Sequence, residues 1–205
     1  MKRKFEDKKR DTLKRKRKPL MFLSLEGNNK TEKLYLKALN NDNNKYALVF
    51  TPGRESDPIN MYKSLKKTIK ESFNEDDGDK AYCICDRDFE VYKLDKLMKI
   101  RQDKTNEKKV SVIVSNPCFE IWYLNHFTFY TKEMMSYKEL EKTLCKYIDC
   151  YSKNGEYYDQ LKDKTYDAIK NSIRQLNKSK SKNEEEVLAN PSTEIYKIVQ
   201  EIIGK

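Results

Sequence analysis

Four short apolar segments, each followed by a helix-like pattern, constrain the fold of this chain more than any other feature. The segments lie at 20–25, 46–50, 81–85 and 110–114 and are almost uninterrupted by polar residues. Strands that are buried on both faces have this composition, whereas strands with one solvent-exposed face alternate between apolar and polar residues. Strand–helix alternation of this kind predicts a parallel sheet with helices on both sides. We therefore expect a Rossmann-like α/β fold with a mostly parallel, four-stranded sheet.

The helix-like patterns carry start signals. Thr31 and Glu32 open a helix after the first strand, and Asp57 followed by Pro58 opens the next one, since Asp caps helices and Pro fits the first turn. After the fourth strand the chain changes to helical patterns alone. The last of these helices is expected to be capped by the segment 190–193.

The positive charge of the chain is concentrated at its start. The net charge is +10, but residues 1–18 hold eleven Lys or Arg and three Asp or Glu, which leaves only about +2 for the other 187 residues. Such an arm suits attraction to a phosphate backbone, and it equally suits a solvated, disordered tail. We predict a basic arm at 1–18, an α/β core at 19–117 and a helical part at 118–205 that packs on the core.

Cysteine and histidine usage argues against a zinc site. The five Cys form no CxxC pair and the single His is His126, which we expect to be a packed core or boundary residue. The odd number of Cys suggests reduced thiols. No apolar stretch after the arm is long enough for a signal peptide or a membrane span, so we expect a cytoplasmic protein without membrane contact.

Acidic residues follow two of the predicted strands at the point where each strand ends. Glu26 follows the first strand, and Asp86 and Asp88 follow the third. In parallel α/β sheets, ligands bind at the carboxyl ends of the strands. Hard cations such as Mg²⁺ or Mn²⁺ prefer carboxylate oxygens, so these three acids are candidate metal ligands, with Glu26 also a candidate general acid/base. The competing interpretation is that they are turn and cap residues.

Four further residues are candidates for the same site. Glu120 stands among large apolar residues, where a carboxylate must be paired, metal-bound or turned outward, and the sequence leaves a site role and an exposed helix position both open. Lys30, Arg87 and Asn116 are candidate phosphate contacts. Their alternatives are a solvated helix face for Lys30, pairing with the neighbouring acids for Arg87 and a helix cap for Asn116.

Other acidic α/β sites fit the order of the residues less well. Haloacid-dehalogenase-like phosphatases carry their acid-x-acid pair after the first strand, whereas here it follows the third. Receiver domains carry an acidic pair near the first strand, where this chain has one acid. The stretch 26–31 ends in Lys-Thr but lacks the glycine spacing of a P-loop, which argues against ATP hydrolysis by this chain.

An acidic Glu after the first strand and an Asp-x-Asp after a later one resemble the Toprim domain of topoisomerases, primases and nucleases. Further segments of the chain are distinctive: Leu25-Glu26-Gly27, Lys30-Thr31-Glu32 with Tyr35, Cys85-Asp86-Arg87-Asp88, Ser115-Asn116-Pro117-Cys118-Phe119-Glu120-Ile121-Trp122 with His126-Phe127, and Asn190-Pro191-Ser192-Thr193. On these segments the chain resembles the RloB family over nearly its whole length from residue 20.

This resemblance implies a Toprim-like, Mg²⁺-dependent nuclease of prokaryotic anti-phage, abortive-infection loci, sometimes paired with an ATPase partner. Glu26 would be the catalytic acid/base, and Asp86 and Asp88 the metal carboxylates. The substrate would be DNA or RNA, with tRNA among the candidates. One alternative is a non-catalytic, metal-dependent component that binds a nucleic acid or nucleotide. Another is an interaction module whose helical part docks an ATPase. The sequence leaves the oligomeric state open.

Overall fold

The computed structural model describes residues 17–27, 30–52, 55–88, 90–103, 109–181 and 189–204. Most of the predicted basic arm lies outside these ranges. A five-stranded sheet with the order β2-β1-β3-β4-β5 forms the centre. Its strands are β1 (Leu20–Ser24), β2 (Ala47–Phe50), β3 (Lys80–Asp86), β4 (Ser111–Asn116) and β5 (Ser192–Thr193). Strands β1 to β4 are parallel to one another, which confirms the prediction from the four apolar segments.

The fifth strand corrects the predicted number of strands and makes the sheet mixed. β5 pairs antiparallel with β4, with Ser115 opposite Thr193. The hydroxyls of these two residues are 2.8 Å apart, and the N–H of Glu194 donates to the carbonyl oxygen of Val114 at 3.0 Å. A strand of two residues has no periodicity to detect, so the sequence suggested only a helix cap at 190–193.

The helices are α1 (Thr31–Asn43), α2 (Pro58–Ile69), α3 (Val91–Arg101), α4 (Glu120–Asn125), α5 (Tyr137–Leu144), α6 (Tyr158–Leu161), α7 (Thr165–Ser181) and α8 (Ile195–Ile203). The predicted start of α2 is confirmed, because Asp57 Oδ1 accepts the N–H groups of Ile59 and Asn60, both at 3.1 Å. Within the described ranges, no helix has the length and apolar character needed to cross a membrane.

Alternate residues of the strands face two separate apolar layers. Phe22, Cys83 and Cys85 belong to the layer beneath α2 and α3, whereas Leu23 and Ile84 belong to the layer on the opposite face. This is the two-residue period of a strand, with both faces covered. It explains why the strands read as continuous apolar runs.

The C-terminal helices and α1 together form the second of these layers. Tyr35 of α1 and Trp122 of α4 are both fully buried there and their rings meet edge to face, with centroids 6.1 Å apart. Residues of α5, α7 and α8 join the same core. The apolar core therefore continues across residue 117, where the sequence suggested a boundary. The division into a core and an appended helical part stays a prediction.

Candidate functional site

Glu26 and Asp86 meet at the carboxyl edge of the sheet because they leave neighbouring parallel strands. β1 and β3 pair with Ser24 opposite Cys83, so the two chains reach the edge together. The backbone N–H of Asp86 donates to Glu26 Oε2 at 3.2 Å. Gly27 then turns the chain in the left-handed region, at a φ of +56°, where only glycine is unstrained. The backbone of Asp86 and the side chain of Glu26 are therefore in direct contact at this edge.

The segment 86–88 is fixed to the end of β4 by its backbone. The N–H of Arg87 donates to the carbonyl oxygen of Ser115 at 2.7 Å, and that of Asp88 donates to Pro117 at 2.8 Å. Asp88 itself has a φ of +51°, a conformation that Asp tolerates better than most residues. As a consequence the two carboxylates differ in exposure, since Asp86 is 5% exposed and the side chain of Asp88 is 40% exposed.

Lys93 of α3 joins two of the predicted acids, and sequence reasoning missed it. Its ammonium donates to Glu26 Oε1 at 2.7 Å, to Glu26 Oε2 at 2.9 Å and to Asp88 Oδ2 at 2.5 Å. Burial acts to lower the pKa of Lys93, but the hydrogen bonds to Asp88 and Glu26 outweigh it and raise the pKa. A lysine in a helix rich in lysine gives no signal of this kind until the helix is folded back on the strand ends.

Glu26 and Asp86 experience different electrostatic surroundings. Burial raises the pKa of Glu26, the hydrogen bonds from Lys93 and from the Asp86 N–H oppose that rise, and the charge of Asp88 adds to it. Burial raises the pKa of Asp86 well above its usual range, and the carboxylates of Glu32 and Glu120 raise it further. Among the described residues, Asp86 Oδ1 has no hydrogen-bond partner.

Glu32 is a second residue that the search for site residues missed. It lies in the first turn of α1, where the positive end of the helix dipole stabilises a negative charge. It is also almost fully buried. Burial raises the pKa of its carboxyl to about 7, against the effect of its own backbone N–H, and Glu120 contributes to the rise. Its Oε2 has no hydrogen-bond partner in the part of the chain that the structure describes. In the sequence, the one indication of a role for Glu32 was its place in the segment Lys30-Thr31-Glu32, which contributes to the family resemblance.

Glu120 is buried rather than exposed, which decides against the exposed alternative. It begins α4, and the hydroxyl of Tyr151 donates to Glu120 Oε1 at 3.2 Å. Partial burial lowers the pKa of Lys153, but the charges of Glu120 and Asp86 outweigh it and raise the pKa. Glu120 therefore joins an acidic cluster, which we define as Glu26, Glu32, Asp86, Asp88 and Glu120.

The three predicted phosphate contacts have different settings. Arg87 Nη1 donates to the carbonyl oxygen of Glu90 at 2.7 Å, which fixes one end of the guanidinium on the backbone. Asn116 is buried at the end of β4. Lys30 is exposed at the residue before α1, and its backbone N–H donates to Asn154 Oδ1 at 2.9 Å.

The predicted packing of His126 is confirmed, and the residue takes no part in the acidic cluster. It is buried beside Trp122, whose carbonyl oxygen lies 2.9 Å from His126 Nδ1. Burial lowers the pKa of His126 to about 4, despite hydrogen bonds to Trp122 and Tyr123 that favour the charged form.

The chemistry of the acidic cluster suits a hard divalent cation better than a soft one. All its donors are carboxylates, and a cation would satisfy the partnerless oxygens of Asp86 and Glu32. Within the described ranges, however, no group of three or more His, Cys, Asp or Glu side chains already has the geometry to hold a metal ion. Glu26 and Asp88 are instead drawn toward Lys93. The residue types thus fit Mg²⁺ or Mn²⁺, but the carboxylate oxygens are not arranged around one point.

A family model described as RloB-like protein matches residues 21–202. The chain belongs to the RloB family. The match to RloB includes every member of the acidic cluster and Lys93, and it confirms the resemblance that the motifs indicated. Comparisons with curated proteins and with solved structures found no match.

Proposed function

We propose that this RloB-family chain is a Toprim-like, Mg²⁺- or Mn²⁺-dependent nuclease that hydrolyses a phosphodiester bond of DNA or RNA. The observation that supports it best is the setting of Asp86, a buried carboxyl group with a partnerless oxygen among four other acids. Burying a charge without a partner costs several kcal/mol. A fold that gathers three acids from strand ends and two from helices into one cluster is therefore expected to use them on a cation.

The chain's own residues divide the work of such a reaction. A bound Mg²⁺ would neutralise charge on the phosphate and lower the pKa of an attacking water. Asp86, Asp88 and Glu26 would hold it, with Glu32 and Glu120 as additional carboxylates. The raised pKa of Glu26 suits a general acid/base that takes the proton of the attacking water. The water oxygen would then bond to phosphorus while the bond from phosphorus to the leaving oxygen breaks, and the leaving oxygen would take up a proton from protonated Glu26 or from solvent.

Lys30, Arg87 and Asn116 are the proposed phosphate contacts around the acids. Arg87 is preorganised for this because its backbone and one guanidinium nitrogen are already fixed. A preorganised cation at the rim stabilises charge that develops in the transition state. A role in prokaryotic anti-phage defence, beside an ATPase partner, belongs to the same proposal and derives from the family resemblance.

The nuclease proposal is tested with the full chain on single- and double-stranded DNA, tRNA and longer RNA, with Mg²⁺ or Mn²⁺. We expect cleavage by the wild type and none by Asp86→Asn, which keeps the size of the side chain and removes the carboxyl group that would ligate the metal. Asp95→Asn, an exposed carboxylate of α3, is the matched control and should cleave normally. Activity retained in Asp86→Asn would place the site elsewhere. No cleavage in any condition, including with an ATPase encoded beside the gene, would refute the proposal.

The non-catalytic alternative draws its support from Lys93. Its three hydrogen bonds to Glu26 and Asp88 already balance part of the acidic charge. A chain of this kind could bind a nucleic acid or nucleotide through a metal without turning it over. Metal-dependent binding of RNA or DNA in a gel-shift assay, with intact substrate recovered afterwards, would favour this alternative.

A further inference from the structure

The position of Lys93 in its helix is electrostatically unusual. It is the third residue of α3, and the first turn of a helix carries a partial positive charge that disfavours a cation. It is also only 3% exposed, which is rare for lysine. Both costs must be offset by its partners, and within the part of the chain that the structure describes these partners are the carboxylates of Glu26 and Asp88.

The contacts of Lys93 are those that a bound cation would make with the same pair. The ammonium is bidentate to Glu26, at 2.7 and 2.9 Å, and it bridges to Asp88 at 2.5 Å. A lysine ammonium is a compact point charge that is held by carboxylate oxygens much as a small cation is. The side chain thus neutralises two of the carboxylates that the proposed function assigns to a divalent cation.

We propose that Lys93 is the resident counter-cation of the Glu26–Asp88 pair, and that a divalent cation must displace its ammonium to bind there. This inference rests on the proposed function, because it concerns the same metal site. Lys93 lowers the affinity of the site for the metal. In the metal-free chain, its ammonium keeps Glu26 and Asp88 together in the folded structure. Metal binding then frees an ammonium beside the site, where it becomes available to a phosphate.

Competition of this kind is measured without any activity assay. Mn²⁺ alone is titrated into the full chain, and free Mn²⁺ is followed by electron paramagnetic resonance. Lys93→Met keeps the apolar stem and removes the charge, and it should bind Mn²⁺ about tenfold more tightly than the wild type, within the usual range of coupling between two ligands. Lys93→Arg keeps the charge and should stay close to the wild type.

Lys96→Met is the matched control, because Lys96 lies on the same helix and forms an ion pair with Asp57 outside the acidic cluster. Its Mn²⁺ affinity should equal that of the wild type. If Lys93→Met is unfolded without metal, Mn²⁺ should restore a cooperative melting transition that an equal ionic strength of KCl does not restore. Failure of that rescue would overturn the inference.

The outcomes separate this inference from the function on which it rests. Binding by the wild type that is equal or weaker in Lys93→Met overturns the competition and leaves the metal site intact. Tighter binding in Lys93→Met, with little or none in the wild type, supports the competition directly. No Mn²⁺ binding by the wild type and by folded Lys93→Met refutes the proposed metal site, and the competition with it.

Discussion

Burial of Glu32 raises the pKa of its carboxyl from an ordinary value of 4.5 to about 7, so the folded chain holds a proton that the unfolded chain releases. Between these two values the folded state binds more protons than the unfolded state. The free energy of unfolding therefore falls as the pH rises through this window, and the loss is complete above pH 7. Below pH 4.5 the carboxyl is protonated in both states and contributes nothing to the slope.

Glu32→Gln should remove this loss of stability. In the metal-free chain at pH 8, we expect its free energy of unfolding to exceed that of the wild type by about 3 kcal/mol, and the difference should shrink toward pH 4.5. Urea titrations followed by the fluorescence of Trp122, the single and fully buried tryptophan, measure both chains.

The wild type and Glu32→Gln must be compared at each pH because His126 titrates in the same pH range. Its pKa is lowered from 6.5 to about 4 by burial, so it contributes stability above pH 6.5 that is lost as the pH falls toward 4. That contribution is common to the wild type and Glu32→Gln and cancels in their difference. Glu133→Gln, at an exposed carboxylate, is the control. A difference that does not change with pH would contradict the assigned burial effect.

Individual site residues could be predicted only where they directly follow a predicted strand. Glu26, Asp86 and Asp88 follow strands directly, and the carboxyl ends of parallel strands share one edge. Lys93 and Glu32 reach the same edge from helices, at distances along the chain that depend on how each helix packs. Their residue types are ordinary for a charged helix and a first helical turn, so the sequence carries no comparable signal for them.

At the scale of elements, a buried carboxylate connects β5 to the rest of the sheet. Glu194, directly after β5, accepts the N–H of Val114 with Oε2 at 2.9 Å and the ammonium of Lys197 with Oε1 at 2.6 Å. Arg101 of α3 pairs with the same side chain. One acid thus links a strand edge and two helices that lie far apart in the sequence.

Glu194→Ala should therefore destabilise the chain strongly. Removing one partner of a buried ionic network typically costs about 3–5 kcal/mol, because the charges that remain lose their partner. Thermal and urea unfolding should show this loss, whereas Glu133→Ala, at an exposed site, should stay within about 0.5 kcal/mol of the wild type. Equal stability of the two variants would show that Glu194 does not hold β5 in place.

Some elements can be predicted from their local sequence, whereas others form only because they pair with a distant part of the chain. Buried parallel strands and the Asp57-capped start of α2 have local causes and were predicted. β5 exists because Glu194 and Thr193 bind the edge of β4, which is a long-range cause. The predicted strand number was wrong for that reason, although the order and direction of the longer strands are consistent with the alternation.

At the scale of the whole molecule, the second apolar layer combines α1 with helices from the far end of the chain. Tyr35 of α1 contacts the rings of Phe119, Trp122 and Tyr123, with centroids 5.7 to 6.1 Å apart. The acidic cluster shares this arrangement, since Glu120 belongs to α4 and Glu32 to α1. The C-terminal helices therefore complete the apolar core and contribute Glu120 to the acidic cluster.

A fragment of residues 1–117 should consequently fail to fold alone. Without the C-terminal helices, Leu23, Ile84 and Tyr35 would lose the apolar groups that cover them, and burial of such side chains contributes about 1.5–3 kcal/mol each. We expect the fragment to show no cooperative thermal transition by circular dichroism. Addition of a fragment of residues 118–205 should restore one, together with the blue-shifted emission of a buried Trp122. A cooperative transition of the first fragment alone, near the melting temperature of the full chain, would instead show that residue 117 is a true domain boundary.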